Sequence, residues 1–178
     1  SVVDDPAGVR SLIGVLTSEL KLEDVFSPDY LFDFFSELHH VDAPVRDERK
    51  RQLFARFGID RFAQTKVADL STGMKQKASL AISLVHDPRV MIFDEPTNGL
   101  DVLTAKTVTD FLLELAADGR TVLLSTHIFS LVEKVCDRVG VVIDGRMAAS
   151  GTLSEVAGER SLEDAFFDLY AASVKEAS

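Results

Sequence analysis

Two short segments of this chain carry residue types suited to phosphate and metal chemistry. Leu70-Ser71-Thr72-Gly73-Met74 is a polar, glycine-containing turn that opens an apolar helix. Further on, Val90-Met91-Ile92-Phe93-Asp94-Glu95-Pro96 is an apolar strand ending in two adjacent carboxylates. A helix N-terminus offers unpaired backbone N–H groups and about half a positive elementary charge, so Ser71 and Gly73 are placed to meet phosphate oxygens. Adjacent carboxylates at a strand end, here Asp94 and Glu95, can hold magnesium and activate water. Each group also has a plainer role. Ser71 caps its helix in either reading, and two carboxylates can simply cap the turn after a strand.

Two further residues belong to the same stretch. Asp101 precedes an apolar helix as an N-cap, and His127 follows the apolar run 121–125. The other histidines, His39, His40 and His86, end apolar helices, where the dipole suits them, and are read as structural. Cys136, the single cysteine, excludes an internal disulfide framework and is read as a small buried residue on a helix.

These residues must be positioned by an α/β framework. Residues 1–16 read as a lead-in followed by a strand over 11–16. Residues 22–68 read as helical, with Ser27 as N-cap and Pro28 at the first helical position. Leu31, Phe34, Phe35 and Leu38 fall at i, i+3, i+4 and i+7, which predicts one apolar stripe. The aromatic cluster Phe26, Tyr30, Phe32, Phe34 and Phe35 reads as mostly core by spacing, with Phe32, off that stripe, the one candidate to face a partner. A second helix spans 47–57 and stops at Gly58, and a third runs from Ser71 to His86, ended by Asp87-Pro88. Short apolar runs at 90–93 and 121–125 flank an amphipathic helix over 102–117, which predicts a parallel sheet covered on both faces. Residues 139–150 read as a hairpin on Asp144-Gly145, and helices over 152–157 and 161–172 follow.

Composition narrows the class. With 178 residues, 46% of them hydrophobic, the chain has the apolar content for a real core. A formal net charge of -10 disfavours nucleic acid or anionic lipid as the main partner. No apolar run approaches membrane-spanning length, and residues 1–20 carry no signal-peptide pattern. Any membrane process is therefore expected to be served from the water side.

Taken together, these segments resemble the ATP-binding subunit of ATP-binding-cassette (ABC) transporters. Leu70 to Met74 is similar to that family's signature motif, Val90 to Glu95 to its Walker B strand, Asn98-Gly99-Leu100-Asp101 to its D-loop, and His127 to its switch histidine. Met74-Lys75 and Ser161-Leu162-Glu163-Asp164-Ala165-Phe166 resemble the bacterial sodium-extrusion and drug-export branch. The resemblance implies a P-loop-NTPase-like core, a mostly parallel sheet with flanking helices, and a helical insert over 20–70. The signature helix and catalytic sheet region would cover 71–150, and C-terminal helices 151–178.

The resemblance also implies roles. Glu95 would polarise the attacking water, with His127 beside it, and Asp94 would hold Mg2+ through water. Ser71 and Gly73 would bind the phosphate of ATP held by a partner subunit, and Asp101 would sit at the dimer interface. ATP and Mg2+ are the implied cofactors. A transmembrane permease and a second cassette, as a homodimer or a pair, are the implied partners, with no nucleic acid. The implied location is cytoplasmic, peripheral on the inner face of the membrane.

Three departures accompany the match, the first being Thr72, which stands where a second Gly is usual in the signature motif. Ser18, followed by Glu19, stands where the family places a magnesium-binding Gln. No Gly-x-x-x-x-Gly-Lys-Ser/Thr loop occurs in the 178 residues. Gly140 and Gly145 have the glycine spacing, but Arg146-Met147 follow. The chain is thus expected to be N-terminally truncated, a partial nucleotide-binding domain. Two expectations follow: ATP hydrolysis by the complete protein, or a non-catalytic half-site module in these residues alone.

Overall fold

The computed structural model describes residues 3–17 and 22–176, so the Ser18 and Glu19 reading lies outside the described residues. The chain divides into two compact units, residues 1–125 and 126–178.

The first unit begins with a helix, α1 (Pro6–Leu12), where a strand was expected from residue 11. Asp5 caps it by accepting from the Gly8 amide, and Pro6 supplies a fixed φ at the first turn. Strand β1 is therefore confined to Ile13–Leu16. Helix α2 (Pro28–Leu38) starts as expected, with Ser27 accepting from the Tyr30 amide. Helix α3 (Ala43–Phe57) begins four residues earlier than its apolar pattern suggests, with Pro44 in its first turn, and ends at Gly58 in the left-handed conformation. Two short 3-10 turns, Ile59–Arg61 and Val67–Asp69, lead to α4 (Thr72–Ser83). Then come β2 (Val90–Asp94), α5 (Val102–Ala117) and β3 (Thr121–Ser125).

The three strands form a parallel sheet in the order β1-β2-β3. Both steps run the same way across the sheet. Right-handed crossovers then put α4 and α5 on one face. That face is sealed: Leu16, Met91 and Phe93 pack with Ala78, Leu80, Val108 and Leu112 in the main core. Among the described residues the opposite face is not sealed. Val15, Ile92 and Leu123 are partners across it, yet Val15 is 45% and Leu123 60% exposed. The expectation of cover on both faces therefore fails for these residues.

The stripe predicted on α2 also divides. Leu31 and Phe32 face the core, and Phe32, 0% exposed, meets Phe54 edge-on at 5.4 Å. Phe34 and Leu38 are exposed instead. The expectation that Phe32 faces a partner is corrected: the helix has two apolar sides, and Phe32 lies on the inner one.

The second unit contains α6 (Phe129–Val135), β4 (Arg138–Ile143), β5 (Arg146–Thr152), α7 (Leu153–Ala157) and α8 (Leu162–Glu176). Strands β4 and β5 pair antiparallel around Asp144-Gly145, both at positive φ, as the hairpin reading requires. Thr152 and Glu155 form a capping box on α7. Cys136 stands just past α6 in extended backbone, half-buried, and burial pushes its thiol up. It is not a helical residue, because α6 ends one residue earlier.

Candidate functional site

Three chain segments of the first unit bring the predicted residues together. At the start of α4, the Ser71 hydroxyl accepts from the Met74 amide at 3.3 Å, which is the N-cap expected of it. Ser71 and Thr72 are exposed, so the first turn of the helix is open to solvent. Gly73 lies against the start of α5. A Cβ added there would come within 3.3 Å of the Thr104 hydroxyl and 3.5 Å of an Asp101 carboxylate oxygen. A glycine at 73 thus lets two helix N-termini approach each other.

Asp101 caps α5. One oxygen accepts from the amides of Leu103 and Thr104, both at 3.0 Å, and the other from the Thr104 hydroxyl at 2.7 Å. The Thr104 backbone bond foremost, then its hydroxyl, holds the Asp101 carboxyl below the usual carboxylate range.

Asp94 and Glu95 sit at the C-terminal end of β2, the middle strand, where open α/β sheets bind ligands. The Ser125 hydroxyl donates to Asp94 at 2.5 Å across the sheet. Glu95 has φ 48°, in the left-handed region. A residue before a proline is pushed toward extended backbone, so this geometry runs against two preferences and costs about 1–3 kcal/mol. The Glu95 amide donates to the Ser125 carbonyl at 2.9 Å, and the Glu95 carbonyl accepts from Asn98 at 3.2 Å. These bonds hold the left-handed backbone that ends the strand at Glu95. Strained backbone of this kind clusters at working sites.

One positioning residue escaped the sequence reading. Gln76, on α4, donates to the Pro96 carbonyl at 2.9 Å and so ties the Ser71 helix to the turn after Glu95. Its twenty-residue separation from Pro96 leaves no local signal. His127 lies in the second unit, exposed, in the turn before α6, where the Thr126 hydroxyl accepts from Ile128 at 3.2 Å.

No cluster of three or more His, Cys, Asp and Glu residues able to hold a metal ion occurs among the described residues. One or two carboxylates with water and phosphate oxygens suffice for magnesium, so the Asp94-Glu95 pair fits that ion and not an all-protein cage.

A second feature is an apolar groove of about 630 Å³ beside β1 and α2, lined by Val15, Phe26, Tyr30, Phe34, His39 and His86 among others. Phe26 stacks on Tyr30 at 4.5 Å and Tyr30 on Phe34 at 6.4 Å, forming an aromatic row along it.

Residues 8–98 match the family described as ABC transporter. The chain belongs to that family. Among its relatives in the ABC transporter family, it is 32% identical over 163 residues to the ABC transporter ATP-binding protein NatA of Bacillus subtilis, covering 91% of this chain and 66% of that protein. It is 34% identical to the daunorubicin resistance ATP-binding protein DrrA3 of Streptomyces coeruleorubidus, covering 89% of this chain and 50% of the relative. Over 98 residues it is 46% identical to the Nod factor export ATP-binding protein I of Rhizobium johnstonii, covering 55% and 31%. The chain thus spans 31% to 66% of the length of these relatives. The solved structure of an ATP-binding subunit of an ABC transporter matches with a TM-score of 0.87 at 26% identity, covering 95% of this chain and 72% of that one. The fold is therefore that of an ABC ATPase core, as the motifs implied. No helix among the described residues is long and apolar enough to cross a membrane.

Proposed function

We propose that these residues are the part of an export-type ABC transporter ATP-binding subunit that positions water and metal for ATP hydrolysis. The observation that carries the reading is Glu95: a carboxylate at the end of the middle parallel strand, held at φ 48° beside Asp94. Glu95 polarises the attacking water as general base, and Asp94, oriented by the Ser125 hydroxyl, receives Mg2+ through water. Bound ATP·Mg2+ supplies the phosphoryl group and the charge that neutralises it. Catalysis is then mainly positioning and electrostatics, as in phosphoryl transfer generally.

Ser71 and Gly73 offer hydroxyl and amide donors to a phosphate held by a second cassette. Asp101, packed against Gly73, carries that contact to the interface, and His127 bonds the phosphate or the water-positioning carboxylate. This chemistry also needs a lysine-bearing phosphate loop, which these 178 residues do not contain. A permease is the proposed partner on the membrane, with the aromatic row Tyr30 and Phe34 on its side and the subunit on the cytoplasmic face. The names of the relatives, which include a daunorubicin resistance and a Nod factor export protein, support export.

The test is Glu95→Gln in the full-length protein. ATP turnover is expected to fall about 10²–10⁴-fold with ATP binding retained. Unchanged turnover removes Glu95 as the base. No ATP binding by these 178 residues alone, restored by an N-terminal extension, favours the non-catalytic half-site reading, and micromolar binding by them removes it.

A further inference from the structure

We propose that the stacked imidazoles of His39 and His86 are a proton-operated tie between the helical insert and the first strand, closing one end of the apolar groove when neutral and loosening it when charged. This inference is independent of the catalytic reading. His39 caps the C-terminus of α2, and His86 lies just beyond α4. Their rings are 3.9 Å apart and 5° from parallel, and both line the groove.

Chemistry fixes the proton. His86 Nε2 lies 3.0 Å from the Ile13 carbonyl, which can only accept, so Nε2 carries the hydrogen. Nδ1 is then a bare lone pair, and it is buried with no hydrogen-bond partner among the described residues. A second proton there creates a buried N–H with no acceptor and a cation against the face of His39.

The surroundings relieve that charge only in part: the Ile13 carbonyl and Asp87 favour it, whereas His39 and Arg49 oppose it, and burial outweighs them. Arg49, from α3, donates to the Val85 carbonyl at 2.5 Å and pairs with Asp87 at 3.6 Å. Arg120, ahead of β3, holds the other Asp87 oxygen at 2.5 Å. Asp87, the carboxylate beside His86, is thus already committed to two guanidinium groups. His40 adjoins His39, and Arg10 and Glu23 line the groove. Burial, followed by neighbouring positive charge, holds both imidazoles below the usual histidine value: His40 acts on His39, and His39 on His86.

The sign follows. Below the ordinary value of 6.5 the unfolded chain binds protons that the folded chain resists. The tie is therefore complete above that pH and weakens as pH falls from it toward the folded-state values. The order is opposite to that of a histidine stabilised by the α2 dipole, the role expected from sequence.

The test is a titration of the full-length protein between about pH 8 and 5, the window in which histidine changes charge. The imidazole NMR signals of His39 and His86 are expected to titrate below 6.5. Fluorescence of the apolar dye ANS should rise in step with them. His39→Phe keeps a flat ring but removes one proton site; the dye transition should shrink at least about twofold as the coupling is lost. His40→Asn, at a left-handed position that Asn tolerates, should leave it unchanged. His39 and His86 titrating at the ordinary value, flat dye fluorescence, or an undiminished step in His39→Phe would each overturn the proposal. If His39→Phe does not fold, the wild-type titration decides alone.

Discussion

The two faces of the parallel sheet are built from alternate residues of the same three strands, yet they do different work. On one face Leu16, Met91 and Phe93 are sealed beneath α4 and α5. On the other, Val15 and Leu123 are exposed, and Asp94 and Ser125 meet at its C-terminal edge. The sealed face holds the fold; the open face carries the proposed metal-binding carboxylate. The asymmetry follows from strand order, since two right-handed crossovers in the same direction cover only one side.

Substitutions can break this contrast or sharpen it. The largest effect is expected on the sealed side: Phe93→Ala should cost about 3–5 kcal/mol in denaturant unfolding, while Leu123→Ala, its neighbour strand's outward residue, should cost well under about 1 kcal/mol. Equal costs would show that the open face is packed in the full-length protein. At the strand end, Glu95→Gly removes the left-handed penalty. It should stabilise the protein by about 1 kcal/mol while abolishing ATP turnover. A destabilised Glu95→Gly would mean that the φ of 48° is not a source of strain. Smallest is Ser125→Ala. Losing the bond to Asp94, at an exposed position, should cost at most about 1 kcal/mol but raise the Mg2+ concentration needed for half-maximal activity. An unchanged Mg2+ dependence separates Ser125 from the metal.

Much of the framework is legible in the residue pattern, for identifiable reasons. Helix α5 and strand β3 match their predicted bounds because cap, apolar period and turn residues all agree there. Helix α1 was hidden because its Asp5-Pro6 start is a local signal overshadowed by the apolar run that continues into β1. On α2, periodicity merged two apolar sides, one facing the core and one the groove, and so misassigned Phe32. At the candidate site, Ser71, Asp94, Glu95 and Asp101 announce themselves by type and position. Their mutual arrangement does not. The Gln76 bond to Pro96, the strain at Glu95 and the His39–His86 stack all depend on segments brought together from a distance.

The close approach at Gly73 has an evolutionary consequence. Because its missing side chain faces Thr104 and Asp101, positions 73 and 104 share one small volume. A side chain at the first must push the Thr104 hydroxyl back by a few tenths of an ångström. Across the lineage, larger residues at 73 should therefore occur more often where the residue at 104 is smaller.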